Sequence, residues 1–224
     1  MFKSILTKAN LIYMLKAAGM SVEIAVCSVI IGTILGILSA ICKISHNKLL
    51  RGIATAYVEI IRGTPMLLQV LFLFLGFPTL YRLTTGNGMS PNPVTIGIIA
   101  MSINSGAYST ELIRSAINAI DKGQWEAGMA LGLSKGDVMK KIILPQAFKR
   151  IVPPMVNEFI VLIKDSSLIS TIGGIELLKS AQILGARYYN YLVPLVAASI
   201  MYLIMTLTIS FFANKLERRL SESD

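Results

Sequence analysis

The chain has 224 residues, 54% of them hydrophobic and only 15% charged, with a mean hydropathy of +0.67. Soluble domains carry about 25% charged residues, so this composition excludes an ordinary water-soluble globule and points to a bilayer as solvent. The net charge of +9 does not mark a nucleic-acid binder, because the basic residues stand between apolar runs, where the positive-inside bias collects them.

In chain order, residues 1–16 read as a mildly amphipathic interfacial segment carrying Lys3, Lys8 and Lys16. The run from Ile24 to Cys42 has no charge and about the length needed to cross the hydrocarbon core. It is too long for a signal-peptide core, so the chain is expected to be inserted and not secreted. Its Gly32 and Gly36 form a GxxxG pair, which permits close helix packing. Cys27 and Cys42 lie roughly 22 Å apart on one helix, too far for a disulfide. A basic loop with Lys43, His46, Lys48 and Arg51 follows.

The second span contains Gly63, Thr64 and Pro65. Proline removes a donor and clashes with the carbonyl four residues back, that of Ile61, so a kink or break is expected there. The turn-rich segment 84–93 precedes a third span. A long charged interruption then separates that span from a fourth, which carries Asn157, Glu158, Lys164 and Asp165. Residues 173–187 form a polar connection to the fifth. The expected fold is an all-α membrane protein: one transmembrane domain of five helices, at about 22–43, 53–81, 94–115, 154–172 and 191–213, with a soluble segment at 121–150. Twelve basic residues fall on the side holding that segment and the C-terminus, and six on the other. The richer side is cytoplasmic, which places the N-terminus outside.

Within the interruption, Gly132 can end a short helix in the left-handed conformation. Ser134 can cap the next helix, with Asp137 at the capping-box position. Glu126, Ala127 and Gly128, then Gly132, Ile142, Leu144 and Pro145, resemble the EAA signature of ABC importer permeases, with Gly128 where the family usually has alanine. Three further stretches, Val58 to Pro65 with Gln69, Asn104 to Tyr108 with Glu111 and Arg114, and Asn157 to Phe159 with Lys164 to Leu168, are similar to the branch importing polar amino acids. Together they cover about residues 20–215. The resemblance implies a type I importer permease of the bacterial plasma membrane. Its short cytoplasmic helix (Glu126, Ala127, Gly128, Leu131, Gly132 and Leu133) would dock in a separate cytosolic ATPase holding ATP-Mg. A second permease copy or paralogue would complete the pore, and an extracellular binding protein would deliver substrate.

Charges inside spans cost a few kcal/mol each, so each needs a partner or a function. Glu59 with Arg62 and Glu111 with Arg114 stand three apart and are expected to neutralise one another on one helix face. Lys164 and Asp165 point about 100° apart and read as structural. Glu158 has no basic neighbour within a turn. By the resemblance, Asn104, Ser105 and Glu158 are expected against the amino and carboxylate groups of an amino acid, with Thr64, Gln69 and Tyr108 as further cavity wall. The single histidine, His46, leaves no triad or multi-histidine metal site, and no P-loop sequence occurs. The chain is therefore expected to be neither an enzyme nor a cofactor binder. An ion-coupled carrier without an ATPase is the rival expectation.

Overall fold

The computed structural model describes residues 5–221, with side chains through 218; residues 1–4, including Lys3, and 222–224 lie outside it. Helix α1 spans Lys8–Ile44 and starts where the Thr7 hydroxyl accepts the Asn10 N–H. Its 37 residues extend roughly 55 Å, far beyond one hydrocarbon core. Residues 8–16 of the expected interfacial segment are thus the first part of the same helix. No proline intervenes to stop it. Its polar positions also find partners: Asn10 donates to the Ile5 carbonyl at 2.7 Å and the Tyr188 hydroxyl at 3.1 Å.

Buried positions of α1 recur every three or four residues, through Ser28, Gly32, Gly36 and Ala40, while Ile30, Ile34, Leu38 and Ile41 face outward. The buried stripe packs on α5, Pro93–Asn118. A β-carbon on Gly32 would stand 2.8 Å from Ser105 Cβ, and one on Gly36 would stand 2.5 Å from Ser109 Cβ. The GxxxG pair therefore sets the approach of the two helices.

After a turn capped by Asn47, α2 spans Lys48–Arg62. The break expected near Gly63–Pro65 is complete. A new helix begins at Met66, as α3 (Met66–Leu71), a wide π turn (Phe72–Gly76) and α4 (Phe77–Thr85). Within the expected span 53–81 and just beyond it, Met66–Thr85 is long and apolar enough to cross a membrane. The Ile61 carbonyl, which Pro65 cannot bond, accepts Gln69 Nε2 at 2.8 Å and Thr64 Oγ1 at 3.4 Å. Inside a bilayer such repair must come from the protein itself.

Two short helices follow α5. Helix α6 (Lys122–Ala130) ends in a Schellman motif: Leu133 N–H reaches the Gly128 carbonyl and Gly132 N–H that of Met129, with Gly132 at φ 80°. Ser134 caps α7 (Lys135–Val138), receiving the Asp137 N–H at 3.2 Å. The expected separation between the second short helix and the fourth span is absent. From α7 the chain winds through a π turn (Met139–Ile143) into α8 (Leu144–Asp165), which carries Pro153 and Pro154 in its interior. The wide turn directly precedes Pro145, just as the earlier one precedes Pro78, giving each ring room in the helix.

A 3₁₀ turn (Ser166–Ile172) leads to α9, Leu177–Arg187. This helix occupies what the sequence presents as a polar connection. Its N-cap is Glu176, fully buried. The carboxylate accepts backbone N–H groups of Lys179 at 2.7 Å and Leu178 at 2.9 Å, and the Tyr202 hydroxyl at 2.6 Å. Tyr202 belongs to α10, Leu192–Ser221, so one carboxylate pins the last two helices together. By length and composition, Lys8–Ile44, Met66–Thr85 and Leu192–Arg218 are each apolar enough to cross a membrane. The more polar α5 and α8 pack among them around Ile24, Met101, Leu162 and Ile169.

Gly36→Ala should lower the melting temperature in detergent, because overpacking a tight contact costs roughly 1–3 kcal/mol. Gly19→Ala, made in open space, should leave it unchanged or raise it. Equal effects would show that α1 and α5 do not approach through Gly36.

Candidate functional site

The α2–α3 break, the middle of α5 and the C-terminal half of α8 enclose a cavity of about 500 Å³, lined by Arg62 to Met66, Asn104, Tyr108, Glu158, Val161, Leu162 and Asp165. Asn104 is buried. Its Nδ2 donates to Gln69 Oε1 at 3.0 Å, and Gln69 Nε2 donates to the Thr64 carbonyl at 3.1 Å and the Thr64 hydroxyl at 2.9 Å. One glutamine thus couples the backbone break to the central amide of α5.

Of the residues expected at a binding site, Asn104, Glu158, Tyr108 and Thr64 line the cavity. Gln69 lies behind it as the brace just described. Ser105 also lies outside the lining: its hydroxyl is buried at the α1 contact, 2.9 Å from where a Gly32 β-carbon would be, and close to the Glu158 carboxyl of the wall. Adjacent helical residues point about 100° apart, so Asn104 and Ser105 cannot both face one cavity squarely.

Two cavity residues differ from the sequence expectation. Arg62 does not pair with Glu59, which is exposed. Its guanidinium sits over the Tyr108 ring, 5.2 Å from the centroid, because α2 ends at Arg62 and leaves it facing α5. Asp165, expected to be structural, joins Glu158 in the wall. Their spacing of seven residues, two helical turns, places both on one face, and this was visible in the sequence. Lys164 turns away into a separate groove with Ser167 and Tyr202. The Glu111–Arg114 pair does form, at 2.8 Å, and Lys43 of α1 joins it. Sixty-eight residues separate Lys43 from Glu111, so no local spacing reveals that contact. The cavity wall thus combines one guanidinium with two carboxylates, a composition suited to a zwitterion.

The second surface is the α6–α7 knob. Its inner side packs Val138, Ile143 and Ala147 against Ala116, Ile117 and Ile120 at the end of α5, with Trp125 and Leu133 against them. Gly128 faces inward, where a β-carbon would meet Val138 Cγ2 at 2.8 Å and Ile142 Cδ1 at 2.9 Å. Glu126, Ala127, Met129 and Leu131 face outward, with Leu131 81% exposed. Arg150 Nη1 donates to the Ala119 carbonyl at 2.8 Å, tying α8 to the C-terminus of α5. The Ser134 hydroxyl and Lys141 ammonium hold the Asp137 carboxyl below its usual range. The knob is therefore fastened to the helices that wall the cavity.

Gln69→Leu and Asn104→Leu should each lower thermal stability, and the double substitution should cost about 1 kcal/mol less than their sum, as expected for one shared hydrogen-bond network. Strict additivity in a double-mutant cycle would contradict the brace.

Residues 32–222 match the family described as binding-protein-dependent transport system inner membrane component. The chain is 41% identical over 212 residues to the arginine transport system permease protein ArtQ of Bacillus subtilis, covering 95% of this chain and 94% of that one. It is 36% identical over 207 residues to the glutamine transport system permease protein GlnP of Escherichia coli K12, covering 92% of each. Among solved structures, an amino acid ABC transporter crystallised with histidines superposes with a TM-score of 0.86 at 37% identity, over 92% of this chain and 94% of that one. The inward-facing MetNI methionine transporter shares the fold, with a TM-score of 0.76 at 16% identity over 96% of this chain and 99% of that one. The protein belongs to the binding-protein-dependent transport system inner membrane components, the permease subunits of ABC importers.

Proposed function

We propose that this permease carries polar amino acids inward across the bacterial plasma membrane by alternating access. The observation that carries the reading is the cavity, which opposes Arg62 to Glu158 and Asp165 around a braced Asn104. An α-carboxylate would meet the guanidinium, and an α-ammonium would meet the carboxylates and Asn104 Oδ1. The permeases for arginine and glutamine among its relatives support the same substrate class.

In this reading the chain crosses the membrane five times, by α1, the Met66–Thr85 unit, α5, α8 with its 3₁₀ turn, and α10. The N-terminus is outside and the 121–150 segment is cytoplasmic. Two permease copies, or this chain with a paralogue, form the pore. Cytosolic ATPases holding ATP-Mg dock on the exposed face of α6, and an external binding protein delivers the substrate. This chain itself hydrolyses nothing and holds no cofactor. The driving event is mechanical: ATPase closure moves α6 and α7, and the shared packing at Ala116, Ile120 and Val138 passes that movement to α5 and α8. Direction follows from the two states holding the substrate with different affinity. An ion-coupled carrier is disfavoured by the family match, whose members work with binding proteins.

Reconstituted in proteoliposomes with its ATPase and binding protein, the complex should hydrolyse ATP faster when a polar amino acid is present. Glu158→Gln and Asn104→Ala should each weaken substrate binding by about tenfold or more, the loss expected from removing a charge-assisted hydrogen bond, while the subunits still copurify. Gradient-driven uptake without any ATPase would reject the proposal. Unchanged affinity in both variants would move the site elsewhere.

A further inference from the structure

A second hollow, of about 450 Å³, adjoins the Asn104 cavity and reaches Glu111, Arg114 and Ser115 on α5 and Pro154 and Asn157 on α8. Both hollows share Arg62, Tyr108, Glu158 and Val161. Their registers agree. Passing along α5 from 104 to 115 accompanies passing along α8 from 165 back to 154, as antiparallel neighbours require. The pair therefore forms one trough, about 16 Å long at 1.5 Å per residue, running from the cavity toward the α6–α7 knob. Its waist, the part where the two hollows meet, is lined by Arg62 and Tyr108 together with Glu158 and Val161.

The geometry points to the Arg62–Tyr108 pair as a gate in this trough, with Arg62 moving between the aromatic ring and the α-carboxylate of a zwitterionic amino acid. Three observations carry this. Arg62 makes no ion pair among the described residues, although carboxylates lie along the wall on both sides of it. Glu111 is not open to it, because Lys43 holds one carboxylate oxygen and Arg114 the other. The ring face is a weaker partner for a guanidinium than a carboxylate, which offers charge-assisted, bidentate bonding. A substrate carboxylate entering the upper chamber would therefore draw Arg62 off Tyr108.

The position of Arg62 in the chain suits that movement. It is the last residue of α2, immediately before the Gly63–Pro65 break. Any rotation of α2 against α3 about the break displaces Arg62 first. On the other side of the waist, Tyr108 is fixed to α5, which carries the knob at its end. Movement of the knob and arrival of substrate thus converge on one contact. The inference rests on the proposed transport function and adds the residues that would separate its two chambers.

The test uses the assembled transporter in proteoliposomes preloaded with labelled amino acid. Efflux without ATP is measured beside ATP-driven uptake for Arg62→Gln, Tyr108→Leu and Tyr108→Phe. Arg62→Gln and Tyr108→Leu should each raise ATP-free efflux by about tenfold, as a barrier lowered by about 1.4 kcal/mol would. Tyr108→Phe keeps the ring face and should keep the seal. Unchanged efflux in both Arg62→Gln and Tyr108→Leu, with substrate affinity reduced, would make the pair ordinary wall contacts and overturn the gate. Leakage in Tyr108→Phe equal to that in Tyr108→Leu would overturn the role of the ring face. If Arg62→Gln does not copurify with the ATPase, Tyr108→Leu decides. No uptake by the parent complex would reject the transport function, and the gate with it.

Discussion

Pro65 leaves the Ile61 carbonyl without a helical donor at the edge of the cavity, and the architecture of the site follows from how that group is satisfied. Gln69 reaches back eight residues, across the break, to supply the bond, and Thr64 assists. Because the same Gln69 accepts from Asn104, the repair also fixes the break against α5. An irregular backbone at membrane depth is tolerable only where protein satisfies it. Here that requirement produces a cavity, since the chain that turns at Gly63 must leave room before α3 begins. Arg62, the last residue before the turn, is left projecting into that room.

The other constraint is the close approach of α1 and α5. Lipid tails are as apolar as leucine, so helices in a bilayer gain little from hydrophobic burial and associate through tight packing. Gly32 and Gly36 set against Ser105 and Ser109 provide that packing. Ser105 is fully buried at that seam. The helix so positioned presents Asn104 and Tyr108 to the cavity and, two turns on, Ala116 and Ile117 to the knob. A rigid α5 therefore links the part that would meet the ATPase to the part that would meet the substrate. Its lower end is fastened further by the Lys43–Glu111–Arg114 cluster and by Arg150 on the Ala119 carbonyl.

Glu176 is a third device of this kind. A fully buried carboxylate is expensive unless its oxygens are occupied, and here two backbone N–H groups and a tyrosine hydroxyl occupy them. The position at a helix N-terminus adds the favourable end of the helix dipole. In sequence this residue sits in a run of small and polar residues that reads as a connection, because capping by a glutamate after two glycines has no periodicity to announce it.

What the sequence determined by itself was everything carried by local rules. Charge-free runs announced the membrane, Pro65 announced the break, Gly132 and Ser134 announced the turn between α6 and α7, and the signature residues announced the family. Four of the six residues expected at the cavity line it. What only the tertiary structure decided was which face each residue presents and which distant residue it meets. Glu59 and Arg62 have the right spacing to pair, yet the end of α2 turns Arg62 onto Tyr108. Ser105 stands beside Asn104 in the chain, yet Gly32 claims it. Lys43 finds Glu111 across a gap of sixty-eight residues. Spacing along a helix sets direction only relative to that helix; the packing of α1, α5 and α8 sets what lies in that direction.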